Sequence, residues 1–240
     1  MGKFLDAHLH VTPTLLPYLT GVPCIANADS PEEYHWLHAN SSPEMTISVG
    51  IHPWKAATTC WDEMEPLLTS CSVIGEIGLD RAWCNTPMHI QEEVFHHQLI
   101  LAHTQNKPVI LHTKGMEQEI LHTIQQYPNR YLIHWYSTSE FIEEFIALDC
   151  WFTIGPDLST NTAVTQLAKI LPLHKLLPES DGLSGISWAH NQAYLPSQYP
   201  RKMEQHIQNI ALLRGISPDF LINQCTENLK SFLNLQKAPE

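Results

Sequence analysis

Short apolar runs that alternate with amphipathic stretches of helical length constrain this chain more than any other feature of its sequence. Strand candidates fall at 3–8, 23–28, 45–50, 73–77, 108–112, 131–134, 150–154 and 175–179. Between them lie helix candidates at 31–39, 61–70, 88–106, 115–126, 139–148 and 161–170, and the last third reads as helix over 201–214, 217–225 and 227–236. In the longest of these, Ile90, Val94, Phe95, Leu99 and Ala102 recur at three- and four-residue steps, the spacing of one buried helical face. Lys107-Pro108 then ends it. Eight strands alternating with helices predict a parallel sheet with right-handed crossovers. For 240 residues the expectation is a single-domain (β/α)8 TIM barrel spanning 1–240, since such barrels run to about 250 residues. An open doubly wound sheet would place a Gly-rich phosphate loop after its first strand. Here that strand runs into His8-Leu9-His10-Val11-Thr12-Pro13 instead.

Composition narrows the function. Hydrophobic residues make up 43% and charged residues 16%, which excludes a largely disordered chain. There are 13 Lys and Arg against 25 Asp and Glu, a formal charge of −12. A broad basic surface for nucleic acid is therefore excluded. If the substrate is a phosphate polymer, bound divalent cations must supply the positive charge. The six cysteines include no C-x-x-C pair and read as thiols of a cytosolic protein. Asp6 and His8 interrupt the N-terminal apolar residues too early for a signal core. No apolar run approaches the ~18 residues that span a bilayer. The expectation is a cytoplasmic chain with no membrane partner.

The 15 histidines are decided by their positions. Residues two apart in an extended segment point the same way, so His8 and His10 can face one ion. Glu76 stands at the end of the fourth strand, His112 ends the fifth, His134 the sixth, and Asp181 follows the eighth. Barrel active sites lie at the C-terminal ends of the strands, so these six side chains would converge on one face. A lone strand-end histidine is more often a satisfied polar residue than a ligand; the whole set carries the reading. Mixed imidazole and carboxylate ligation suits Zn, Mn, Fe or Mg-like ions. Six ligands exceed the need of one tetrahedral zinc, and a carboxylate can bridge two ions, which points to a two-metal centre.

Asp6-x-His8-x-His10, Gly50-Ile51-His52-Pro53-Trp54, Gly75-Glu76-Ile77-Gly78-Leu79-Asp80, His112, His134, Glu179-Ser180-Asp181 and Asn228-Leu229-Lys230-Ser231-Phe232 together resemble the TatD family of metal-dependent deoxyribonucleases, within the amidohydrolase superfamily. The resemblance runs from about residue 5 to about residue 233. It implies a TIM barrel, two divalent ions (Mg, Mn or Zn), DNA as substrate, and hydrolysis of phosphodiester bonds by an activated water, in the manner of an exonuclease. It also implies that His8 and His10 hold the first ion and that Glu76 bridges both. His112 and His134 would hold the second ion. Asp181 would bind the first and orient the attacking water, which makes Asp181 and Glu76 the catalytic pair. His52 and Lys114 would face the substrate, Lys114 as a point charge where relatives often have Arg. Asp6 would orient a ligand or the chain. Trp54, Trp83, Trp135 and Tyr136 are candidates for stacking on bases, with buried packing the commoner role. His96, His97, His103 and His122, on helices, read as surface or packing residues.

Three segments depart from the family pattern: Arg81-Ala82 after Asp80, Trp135-Tyr136-Ser137-Thr138 after His134, and 182–200, which carries Ser187-Trp188-Ala189-His190. Loops set substrate preference, so these departures point to a specialised member, one able to work with a partner protein in a defence or repair complex. Two rival readings are a metal-dependent hydrolase of a small C–N or ester substrate and a metal-binding partner subunit with little catalysis. The first commonly bridges its ions with a carbamylated Lys on the fourth strand, where this chain has Glu76. Retention of Asp181 weighs against the second.

Overall fold

The computed structural model describes residues 4–234. Eight strands run parallel in chain order: β1 (Asp6–Leu9), β2 (Cys24–Ala28), β3 (Met45–Val49), β4 (Val73–Asp80), β5 (Val109–Lys114), β6 (Tyr131–Ile133), β7 (Trp151–Ile154) and β8 (Leu176–Pro178). Helices α1 (Pro31–Asn40), α2 (Trp61–Ser70), α3 (Met88–Thr104), α4 (Glu117–Ile124), α5 (Ile142–Ala147) and α6 (Thr162–Ile170) occupy the crossovers. Three more follow β8: α7 (Gly182–Ala189), α8 (Tyr199–Arg214) and α9 (Pro218–Leu233). This is the expected (β/α)8 barrel. Every residue of β1, β2 and β4 to β8 is buried, as parallel strands covered on both sides require.

Local signals set several helix starts. Ser30, Asn161 and Ser217 accept the amides of Glu33, Ala163 and Phe220 at 3.3, 3.0 and 3.2 Å. Pro31 and Pro218 take the first helical position, where a missing N–H is harmless. In α3 the buried face is Gln91, Phe95, Gln98, Leu99 and Ala102. The expected members Ile90 and Val94 are only half-buried. Two glutamines displace them because each finds backbone partners inside.

The barrel closes from β8 onto β1 through polar groups. The amide of Asp181 donates to the His8 carbonyl at 3.1 Å. The Asp6 carboxylate accepts the Ser180 amide at 3.1 Å, the Tyr199 hydroxyl at 2.5 Å, the His8 amide at 3.3 Å and the Ser180 hydroxyl. Burial pushes the Asp6 carboxyl up to about 7, against the lowering effect of those Ser180 and Tyr199 bonds. Asp6 thus ties the first strand to the eighth and to α8.

Several boundaries differ from expectation. The fourth and fifth strands continue past Ile77 and His112 to Asp80 and Lys114, and β4 carries a register shift between Ile74 and Ile77. Glu76 therefore sits in a bulge, which re-aims a side chain. α5 begins late because Phe141 is left-handed, at φ 56°. Residues 217–225 and 227–236 were expected as two helices and form one, α9. Thr226 is accommodated mid-helix by donating its hydroxyl to the Ile222 carbonyl at 2.8 Å. The expected helix end at Gln236 and strand start at Lys3 lie outside the described residues. α7 was not expected, because Gly182 and Gly185 lower its helix propensity. Gly182 has φ 76° and a Cβ there would lie 2.5 Å from the His10 carbonyl oxygen, so the glycine lets α7 start directly over the end of β1.

Gly78 has φ 152°, and a Cβ there would lie 2.0 Å from the His112 carbonyl oxygen. Gly78→Ala should force β4 and β5 apart and destabilise the protein by about 1–3 kcal/mol. Thermal melting should register this as a drop of roughly 2–4 °C per kcal/mol; an unchanged midpoint would refute the close-approach argument.

Candidate metal centre

Glu76 is 2% exposed and its two carboxylate oxygens face different histidines. Oε2 lies 3.3 Å from His8 Nε2 and 3.6 Å from His10 Nε2. Oε1 lies 2.5 Å from His112 Nδ1, 3.1 Å from His134 Nε2 and 3.4 Å from His52 Nε2. Asp181 Oδ1 closes the first group, 3.6 Å from His8 Nε2 and 3.7 Å from His10 Nε2. Three sets have ligand atoms within 4.8 Å of one another: His8, His10 and Glu76; His8, His134 and Asp181; His52, Glu76 and His112. All six expected ligands thus meet at the C-terminal mouth of the barrel, delivered by β1, β4, β5 and the residues just after β1, β6 and β8.

A second layer fixes the rings. His112 Nε2 lies 3.0 Å from Asp80 Oδ2 and His134 Nδ1 lies 3.2 Å from Glu179 Oε2. A carboxylate on the outer nitrogen places the proton there and leaves the inner nitrogen's lone pair free for an ion. Asp80 also accepts the Trp54 indole N–H at 2.6 Å and the Ala82 and Trp83 amides at 2.8 Å each. Gln91 accepts the Asp80 amide at 2.8 Å and donates to the Asp80 carbonyl at 3.1 Å. Gln98 grips Ile51 in the same way, at 2.7 and 3.1 Å. These two glutamines hold the β4 exit and the segment before His52.

The electrostatics suit bound cations. Burial opposes ionisation of Glu76, yet His134, His52 and His112 hold its carboxyl well below the usual range. Burial likewise opposes the charging of His8, but Asp181 and Glu76 raise it well above an ordinary imidazole. His134 is raised to about 9, where Glu76 and Glu179 outweigh burial. His8 is fully buried, and neither of its ring nitrogens has a hydrogen-bond partner; its carboxylate contacts at 3.3 and 3.6 Å lack hydrogen-bond geometry. An orphaned buried imidazole aimed at two carboxylates fits a metal ligand.

The other expected site residues divide. His52 joins the cluster. Lys114 donates to the Trp135 carbonyl at 2.5 Å and the Ser137 hydroxyl at 3.2 Å, and burial lowers its ammonium pKa against the opposing effect of Glu179 and Glu76. Trp135 and Tyr136 are buried, whereas Trp54 and Trp83 are exposed. His96, His97, His103 and His122 are exposed on their helices. Sequence reasoning gave no role to Asp80, Glu179, Gln91 or Gln98. Asp80 and Glu179 stood inside recognised motifs; the glutamines offered only their place on an otherwise apolar helix face.

A family model described as TatD related DNase matches residues 19–234. The chain belongs to the TatD-related DNase family. It is 26% identical over 161 residues to YabD of Bacillus subtilis, described as an uncharacterized metal-dependent hydrolase, covering 62% of this chain and 60% of that one. It is 26% identical over 141 residues to the human 3'-5' RNA nuclease TATDN2, covering 55% of this chain and 17% of that one. The aligned part therefore spans no more than 60% of either relative's length. The fold matches YJJV, a TatD homolog from Escherichia coli K12, with a TM-score of 0.81 at 21% identity, covering 98% of this chain and 99% of that one. The Bacillus subtilis relative is described as a metal-dependent hydrolase. No helix among the described residues is long and apolar enough to cross a membrane.

An imidazolium cannot ligate, so ion binding must expel protons from His8 and His134. Their pKa values are raised, hence apparent metal affinity should climb as pH rises toward about 9 and fall on acidification. Calorimetric titration with Mn²⁺ from about pH 6 to about pH 9 reads this directly; affinity independent of pH would contradict imidazole ligation. Asp80→Asn and Glu179→Gln should each weaken Mn²⁺ binding by about 10–100-fold while leaving the circular dichroism spectrum unchanged.

Proposed function

We propose that this TatD-family hydrolase cleaves phosphodiester bonds in DNA as an exonuclease, using two divalent ions (Mg, Mn or Zn). The observation that carries the proposal is the division of Glu76: one oxygen toward His8 and His10, the other toward His112 and His134. One set of ligands on each oxygen is what a bridging carboxylate needs. His8, His10 and Asp181 would complete the first site, and His112 and His134 the second. When bound, such a pair lowers the pKa of water and neutralises phosphoryl oxygens.

The chain's own groups do the rest. Asp181 is the most accessible carboxylate of the cluster, its side chain 27% exposed against 3% for Glu76. Burial raises its carboxyl, but His8, His134 and His10 hold it below the usual value. It is therefore ionised at neutral pH and placed to take a proton from an attacking water. His52 Nδ1 accepts the Trp54 amide at 3.2 Å, so in the neutral ring Nε2 carries the proton. Burial lowers the His52 pKa, which keeps that ring neutral. Its Nε2 lies 3.4 Å from both Glu76 Oε1 and His112 Nδ1, so His52 is a donor within the cluster rather than a metal ligand, at the mouth where a phosphate would enter. Lys114, bonded to the turn after β6, positions that turn. The human relative named for 3'-5' RNA nuclease activity supports attack from a strand end and makes RNA the competing polymer. The free thiols of all six cysteines support a cytoplasmic setting.

End-labelled single strands of DNA and RNA, incubated with Mg²⁺, Mn²⁺, Zn²⁺ or EDTA, test the proposal. Metal-dependent shortening of DNA from one end is expected. Asp181→Asn should lower kcat by at least about 100-fold, and a variant with wild-type kcat would refute the proton-acceptor role. The double variant His112→Ala/His134→Ala should lose bound metal and activity together while remaining folded.

A further inference from the structure

Two tryptophans stand in water beside the metal centre. Trp83 is 57% exposed and Trp188 is 64% exposed, yet they come from different segments and meet edge to face, with ring centroids 6.0 Å apart at 66°. Both are tied to the ligand framework. The Trp83 amide donates to Asp80, the carboxylate that holds His112. Trp188 packs edge to face on buried Trp135, with centroids 5.5 Å apart at 79°. Trp135 directly follows His134, and Asp157 fixes its indole N–H at 2.7 Å. Along α7, Trp188 lies seven residues beyond Asp181, about 10 Å at the helical rise.

Large apolar rings left in water at the rim of a polar site mark a contact surface. Charge says what sort. The chain carries −12, and Lys114 at the mouth is already bonded within the protein. Exposed Arg81, beside Trp83, already lies 3.9 Å from Glu119, so few free side-chain cations can hold a nucleic-acid strand by its phosphates here. Ring faces can, because every base offers a π-face and stacking needs no cation. A duplex hides every base face except those of its terminal pair, so a base flanking the cleaved phosphate reaches these rings when its strand is single.

We infer that Trp83 and Trp188 form a corner that stacks on a base of single-stranded nucleic acid flanking the phosphate to be cleaved. The inference rests on the nuclease reading above for the identity of that phosphate. The bound base lies on one ring and against the edge of the other. Binding then depends on bases more than on salt.

Fluorescence anisotropy of the Mn²⁺-loaded full chain tests it, using a labelled phosphorothioate-linked dT strand, which resists hydrolysis, and an abasic strand of equal length. The wild type should bind the dT strand about tenfold or more tightly than the abasic strand. Trp188→Ala and Trp83→Ala should each lose most of that preference, and Trp188→Phe should keep most of it. The slope of log affinity against log salt should be shallower than about −2, a few phosphate contacts at most. Equal binding of the two strands by the wild type, no binding of either, or an undiminished preference in both alanine variants overturns the inference. Ordinary phosphodiester strands with Mn²⁺ test hydrolysis separately. Cutting without any base preference sinks the stacking corner and leaves the nuclease reading standing; base preference without cutting does the reverse.

Discussion

A carboxylate buried as deeply as Glu76 must be neutralised by what surrounds it, because an isolated charge in the interior costs several kcal/mol. The five imidazole nitrogens near it come from β1 and its exit, the segment after β3, β5 and the exit of β6. The mouth is therefore held by mutual need. The inner nitrogens of five histidines converge on Glu76, with Asp181 sharing His8 and His10. Such a cluster tolerates little drift, and the surrounding structure limits it. Asp6 pins β8 to β1, Gln91 and Gln98 fix two exits by double backbone bonds, and Gly78 brings β5 close to β4.

The barrel was legible because alternation of buried strand and amphipathic helix is a long-range pattern that survives local ambiguity. Its details were less so. The β4 bulge arises from how Val73–Asp80 must fit against β5, a tertiary demand with no sequence period. α7 opens on Gly182 at positive φ, so propensity argued against a helix that packing over β1 permits. The α3 face was misread at Ile90 and Val94 because hydropathy counts Gln91 and Gln98 as polar. It cannot know that backbone groups await their amides inside.

The convergence of the expected ligands was legible for a different reason. Parallel topology sends every strand's C-terminal end to one face, so a titratable residue at that place in several strands implies convergence before any coordinates exist. The residues that orient the ligands have no such rule. Asp80 and Glu179 matter through the ring nitrogens they meet, and those nitrogens are set by ring rotation. Trp188 is harder still. It lies on an unexpected helix, and its meeting with Trp83 joins positions far apart in the chain.

The two rings of the second group are held in opposite senses, and this ties chemistry to the rim. His112 turns Nδ1 inward and gives Nε2 to Asp80; His134 turns Nε2 inward and gives Nδ1 to Glu179. Each carboxylate thus selects one tautomer, and the selection differs between neighbours. Glu179 is buried behind its ring, whereas Asp80 also accepts the Trp54 indole and the amides of Ala82 and Trp83. The acidic group that orients one ligand therefore sets the position of two exposed aromatic residues. Movement of the rim must be felt at His112 through Asp80. The rim aromatics and the His112 ring are in this way parts of one hydrogen-bonded unit.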